Sequence, residues 1–302
     1  MCAIITKEDL IQDIKNLGVK PGDMLHLKVS MRSIGKVEGG PKALLEALLD
    51  VVGKEGTLVS DAFINAYPLP LDEEQKKCIA DEHTPSYAGA FANVMIQHPH
   101  MKRSKHPIQK YAAIGKHAEQ LCANHTPESG GYDLLHDMAK QGAKNLTIGK
   151  KVAGVGTTHV AIDLLGFKRK QMNKGVLYRE ENGDIKLAKV NWNGGCAAGF
   201  PKFIPHYHQR GGVIGEGPVG QATGLLTSMK RTLEIEMDIL KKNPRFFFCD
   251  DKACYSCQMT WEHSPKNPLS FYPRWILKNM NSLSFSRIKR LLKTTKNIKK
   301  HA

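Results

Sequence analysis

The chain has 302 residues, 41% hydrophobic and 24% charged, with 44 Lys and Arg against 29 Asp and Glu, a net +15. That composition is of an ordinary globular protein with enough length to bury a core without covalent staples, and it excludes a disordered or fibrous class. No apolar run approaches a bilayer span and "MCAIITKEDL" lacks the apolar stretch of a secretory leader, so the expected location is cytoplasmic.

The charge is unevenly spread. Residues 274 to 302 hold nine cations and no acid. Such a tail suits phosphates, anionic lipid or nucleic acid, or is simply a solvated terminus. Leu277, Met280, Ile288, Leu291 and Ile298 fall near one helical face. The tail therefore reads either as a helix peripheral to the inner membrane face or as disorder.

In chain order, Thr6 and Asp9 mark a helix start, Leu10, Ile11, Ile14 and Leu17 carry it, and Gly18 stops it. Residues 23–30 alternate as a strand, 41–52 form a helix with Pro41 in its first turn, and 56–63 form a second strand. Helical stretches near 87–97, 116–123 and 131–140 precede the strand 145–149. From 175 to 192 two extended runs flank Asn182-Gly183, a hairpin signal. A long amphipathic helix is expected at about 219–242, then a strand in "RFFFC". The alternation predicts a layered α/β/α single domain, residues 1–273, followed by the basic tail 274–302. There is no internal repeat.

Three segments carry chemistry. In "SMRSIGKVEGG" (30–40) glycines loosen the backbone before a helix N-terminus and Arg32 and Lys36 stand beside it, which suits a diphosphate, although a glycine-rich loop by itself more often marks a tight turn feeding a helix. In "GVGTTHVAIDLLGF" (154–167) His159 and Asp163 are four apart on a helix, the spacing of a base with its orienting carboxylate or of a surface pair. In "CDDKACYSCQMTWEH" the cysteines Cys249, Cys254 and Cys257 with His263 read C-x4-C-x2-C-x5-H, either a structural zinc site or free thiols.

Residues 30–63, with "ALLDVVGKEGTLV" following the glycine-rich loop, resemble the aminoglycoside 3-N-acetyltransferase family. "RSKHPIQKYAAIGKHAEQL" (103–121) and "GEGPVGQATGLL" (215–226) are similar to two further family segments in the same order. The resemblance implies an acyltransferase using acetyl-CoA as co-substrate on a layered α/β fold. Carried over by position, it implies cofactor contacts at Ser30, Met31, Arg32, Ser33, Ile34, Gly35, Val37, Gly39 and Gly40, with Arg103, Ser104 and His106 behind them. Aligning Gly149 with the glycine that closes the family's strand places His159 on the catalytic histidine. Asp163 falls one residue past the family glutamate.

The chain also departs from the family pattern. Lys28 replaces a histidine of the first segment, although His26 lies two residues earlier on the same strand face. Lys110 replaces a serine, and no acid appears in "VNWNGGCAAGFPKF". With acids this sparse, a neutral or anionic amino sugar, nucleotide-linked and destined for a surface glycan, suits the chain better than a polycationic antibiotic. His159 is the expected base and Asp163 its orienting partner. Cys196, among small residues, is either an acyl-accepting nucleophile or a small buried side chain. Two other readings stand beside this one: a catalytically altered CoA- or glycan-binding member, and a basic zinc-containing nucleic-acid-binding protein, against which the terminal position of the charge counts. The expected partners are acetyl-CoA and an amino-sugar acceptor, not nucleic acid; a homodimer is left open.

Overall fold

The computed structural model describes residues 4–150, 154–190 and 196–280. The tail beyond 280 and Trp192 of the "VNWNGG" segment lie outside the described residues.

Helix α1 (Lys7–Asn16) opens on a capping box in which Thr6 and Asp9 satisfy each other's backbone N–H. Strand β1 (Met24–Val29) leads into the short α2 (Met31–Ile34) and then α3 (Gly40–Val52), with Pro in its first turn. Strands β2 (Thr57–Asp61) and β3 (Tyr67–Pro68), helix α4 (Glu73–Lys77), strand β4 (Ile79–Ala80) and helix α5 (Ala90–Ile96) follow. Then come β5 (Lys102–Arg103), β6 (Tyr111–Gly115), α6 (Ala118–Asn124), α7 (Asp133–Lys140), β7 (Lys144–Gly149) and α8 (Thr157–Leu164). The hairpin β8 (Lys174–Arg179) and β9 (Ile185–Lys189) turns through Gly183 at φ 92°. The remainder is α9 (Ile204–Gln209), β10 (Val213–Val219), β11 (Ala222–Ser228), α10 (Met229–Lys242) and α11 (Pro268–Asn279).

Seven strands form the main sheet in the order β10-β11-β7-β1-β2-β6-β5. Its centre, β7-β1-β2, is parallel and its flanks are antiparallel. A small sheet, β3-β8-β4 with β9 on β8, lies apart. Leu25, Leu27, Leu58, Leu146 and Ile148 face α1, α3 and α5 in one core. On the other side Val59, Tyr111 and Ala113 pack with α6, α7, Val160 of α8 and Met229 of α10. This is the expected layered α/β/α arrangement, and the strand alternation explains it, because every second residue of β1, β2 and β7 is sent to each layer.

Two elements differ from expectation. The span 219–242 is helical only from Met229, where Ser228 caps the helix. Before it, Gly220 turns β10 into β11 at φ 57°, and Gly215 and Gly224 lie so close to Leu17 that a side chain would collide. Sheet contact at glycines thus overrides the apparent helical spacing. "RFFFC" is a turn rather than a strand. Phe246 and Phe248 donate backbone hydrogen bonds to Asn243 and Arg245, and the aromatic run clusters around Trp261. Helix α11 crosses residue 273, with Pro273 inside it. Among the described residues no helix is long and apolar enough to cross a membrane.

Candidate active site

The site grows from one face of the central strands. Leu25 and Leu27 point into the α1/α3 core, so His26 and Lys28 point to the opposite side, together with Asn145 and Thr147 of β7 and Val59 and Asp61 of β2. Register pairs His26 with Asn145 and with Val59, which leaves Asp61 diagonally ahead of it. The His26 ring is fully buried. It lies 2.9 Å through Nε2 from Asp61 Oδ1 and 2.8 Å through Nδ1 from Asn145 Oδ1, while Asn145 Nδ2 donates to Thr147 Oγ1. Both ring nitrogens thus have a partner within hydrogen-bond distance. Burial alone would raise the Asp61 carboxyl. The His26 charge and hydrogen bond, with Lys28 and His159 nearby, hold it below its ordinary value.

Gly156 delivers the second histidine. Its φ is 62°, and a Cβ there would lie 2.9 Å from His26 Cε1, so a glycine is required for the chain to cross the ring and start α8. One turn into that helix His159 stacks on Tyr132, with ring centroids 4.4 Å apart and 5° between planes. It meets Phe200 edge-on at 5.0 Å. Behind it Thr158 donates to the buried Glu236 at 2.5 Å, Tyr207 donates to the same oxygen, and Thr157 bonds Thr232. Burial lifts the Glu236 carboxyl to about 7. Asp163, the expected orienting carboxylate, is exposed one turn beyond His159, and its charge is felt at the buried Tyr132 hydroxyl.

A cavity of about 210 Å³ opens at the C-terminal ends of β1, β2 and β7, lined by Lys28, Ser30, Asp61, Phe91, Thr147 and Gly149 among others. In open parallel sheets this edge is where ligands bind. Of the loop residues expected at the cofactor, Ser30 reaches this cavity. Its N–H extends the ladder to Ile148 and its hydroxyl bonds Ser33. Met31, Arg32 and Ser33 form α2 beside it, whereas Ile34 is buried and Val37 bridges Ile5. Gly35 abuts the Gln221 side chain, and Gly39 and Gly40 lead into α3 with positive φ.

Arg103, Ser104 and His106 stand elsewhere. Arg103 is buried and donates to the carbonyls of Ala62, Glu82 and Thr84. Ser104 links the Tyr111 N–H to His125, and His106 accepts from the N–H groups of Ile108 and Gln109 and stacks on His125 at 5.0 Å. Burial, then His125 and Lys110, push His106 down to about 3. His106 lines a second cavity of about 420 Å³ under β8 and β9, which shares no lining residue with the first.

The Sγ atoms of Cys249, Cys254 and Cys257 lie together, and the fourth member of that group is Cys196, all within 4.8 Å of one another. His263 is not in the group. Its ring packs on Phe167 at 4.8 Å, with Nδ1 3.7 Å from Glu262.

A family model described as aminoglycoside 3-N-acetyltransferase matches residues 24–241. The chain belongs to that family. It is 29% identical over 248 residues to aminoglycoside N(3)-acetyltransferase IV of Salmonella sp, covering 80% of this chain and 89% of the relative. It is 34% identical over 143 residues to the SPbeta prophage-derived aminoglycoside N(3')-acetyltransferase-like protein YokD of Bacillus subtilis, covering 41% of this chain and 52% of that one, about half the relative's length. The fold matches the structure titled AAC-IIIb binary with CoASH at a TM-score of 0.69 and 22% identity, over 80% of this chain and 97% of that one. The pairing of His26 with Asp61 is a feature that reading by motif missed. The available signal was the alternation of β1, which puts His26 and Lys28 on the face opposite Leu25 and Leu27.

Proposed function

We propose that the protein transfers an acetyl group from acetyl-CoA to the amine of an amino sugar, with His159 as general base. The observation that carries this reading is Asp61, hydrogen-bonded to His26 and within electrostatic reach of His159, in the lining of a cavity at the C-terminal edge of the parallel strands, in a chain of this family. The relative structure titled with CoASH supports the choice of donor.

In the reaction the acceptor nitrogen attacks the thioester carbonyl and the C–N bond forms. His159 takes the proton from nitrogen and returns it to the sulfur as the C–S bond breaks, releasing CoA–SH and the amide. Asp61, fixed by His26, supplies negative charge where the imidazole becomes cationic. Tyr132 covers one face of the imidazole and Phe200 meets it edge-on, which together set its plane. Lys28, 3.9 Å from Asp61 at the cavity wall, and the chain's excess of cations disfavour a polycationic acceptor; a neutral or anionic amino sugar suits this lining. Cys196 has no part in this scheme as a nucleophile.

CoA release, followed with a thiol reagent over a panel of amino sugars, nucleotide-linked amino sugars and aminoglycosides, tests both halves. Loss of turnover in His159→Ala, without loss of fold by circular dichroism, is expected. Undiminished turnover in that variant sinks the assignment of the base. An aminoglycoside as the best acceptor overturns the acceptor class and leaves acetyl transfer standing.

A further inference from the structure

Three cysteines crowd into the segment 249–257, beyond the span 24–241 that the family model matches, and Cys196 comes to them from a distant loop. The convergence is built into the backbone. Gly199 packs so tightly on the 247–249 segment that a Cβ would fall 1.9 Å from the Phe247 carbonyl oxygen, so this close approach needs a residue without a side chain. Lys202 clasps the same pair of segments by donating to the Phe248 carbonyl and to Asp250. Cys254 and Cys257 are one turn apart, which sends both sulfurs to the same side.

Four sulfurs mutually within 4.8 Å, none joined in a disulfide, are close enough to share one ion, since thiolates held about 2.3 Å from zinc at tetrahedral angles lie roughly 3.8 Å apart. Cys257 is fully buried and Cys249 nearly so, while Cys196 and Cys254 are partly buried. The Cys249 N–H points at Cys257 Sγ at 3.4 Å, the kind of outer contact that orients thiolate ligands. A divalent ion on four thiolates carries two negative charges. Arg169, which reaches Ser256 beside the cluster, offsets part of that charge, while Lys202 and Lys278 are paired with Asp250 and Asp251.

We infer that Cys196, Cys249, Cys254 and Cys257 bind a structural zinc ion. Four protein ligands leave no open position for substrate, so the ion acts as a cross-link. It ties the 196–203 segment, whose Phe200 lies against His159 and near Phe247, to the segment that follows α10. Zinc thereby fixes one wall of the acetyl-transfer site without entering its chemistry. The inference stands on the thiol geometry and holds whether or not the proposed reaction does.

Full-length protein without a histidine tag, produced in zinc-supplemented medium, is assayed for metal by plasma mass spectrometry. About one zinc per chain is expected. A mercurial titrant should release it in step with thiol modification, and chelation should lower the melting temperature. Cys78→Ser and His263→Ala should keep the ion, whereas Cys196→Ser and Cys257→Ser should lose it. If those last variants do not fold, exchange of the wild-type protein with cobalt(II) should give the absorption of a tetrahedral tetrathiolate. Metal-free protein whose thiols react freely, iron in place of zinc, or zinc fully retained in a folded Cys196→Ser protein would overturn the assignment.

Discussion

Tyr132 and His159 lie face to face, 4.4 Å between ring centroids and 5° from parallel, although one comes from the start of α7 and the other from the first turn of α8. Tyr132 is 5% exposed and is itself edge-on to Phe63. Truncation to alanine should cost about 3–5 kcal/mol, the usual cost of emptying an aromatic site, and should lower kcat as the imidazole loses its plane. Tyr132→Phe keeps the ring and should unfold within about 1 kcal/mol of the parent. Urea denaturation of both variants measures the difference; equal stability of the two would mean that the stack is not what holds α7 to α8.

His26 and Asp61, on β1 and β2, are 2.9 Å apart through Nε2 and Oδ1. Asp61→Asn removes the carboxylate that meets the buried His26 ring and leaves a weaker partner, so it should destabilise by about 1–3 kcal/mol. Because the folded Asp61 carboxyl is held below its unfolded value, its contribution is complete above the ordinary carboxylate pKa and is lost as pH falls through the folded value. The variant should therefore lack that part of the parent's acid limb. Parallel acid-unfolding curves for the two proteins would contradict the pairing.

Gly156→Ala is the sharpest steric probe of the site. The added methyl would meet His26 at 2.9 Å on a backbone with φ 62°, so strain and displacement of the ring act together. A loss of about 1–3 kcal/mol and a fall in turnover are expected. Gly142→Ala carries φ 77° in open space and should cost only the backbone part. Thermal melts of the two variants separate backbone strain from the contact with His26.

Much of this was legible in the sequence because it is local. The Thr6 cap, the strand alternation of 23–30, the Pro41 start of α3 and the Asn182-Gly183 hairpin each depend on residues a few positions apart. What escaped depends on register or on distant approach. The partner of His26 is set by which residues of β2 lie beside β1, and the fourth thiol by a glycine that lets two remote loops touch. The spacing of 249–263 favoured His263 because it is near in sequence, yet the Phe167 surface takes its ring and Cys196 is the nearer sulfur. In 219–228, the part of the expected helix that is not helical, Gly220 makes a turn and Gly224 admits Leu17 against the sheet.

Glu236 gives the protein a pH signature of its own. Buried on α10, its carboxyl is raised to about 7, against which only the hydroxyls of Thr158, Tyr207 and Thr157 act. The folded state then holds a proton that the unfolded chain has already released between the ordinary carboxylate value and 7. Stability should fall as pH rises through that window, by an amount on the order of 3 kcal/mol. His106 and His125 act in the opposite sense. Burial depresses them to about 3 and about 4, so the unfolded chain binds protons first and stability falls as pH drops below about 6.5. The parent therefore shows a partly cancelled profile between pH 4.5 and 7. Glu236→Gln, which keeps an acceptor for Thr158 and Tyr207, should remove the falling term and leave stability rising with pH across that range. Denaturant midpoints at several pH values decide it: a variant whose profile follows the parent's would show that Glu236 is already ionised in the folded protein.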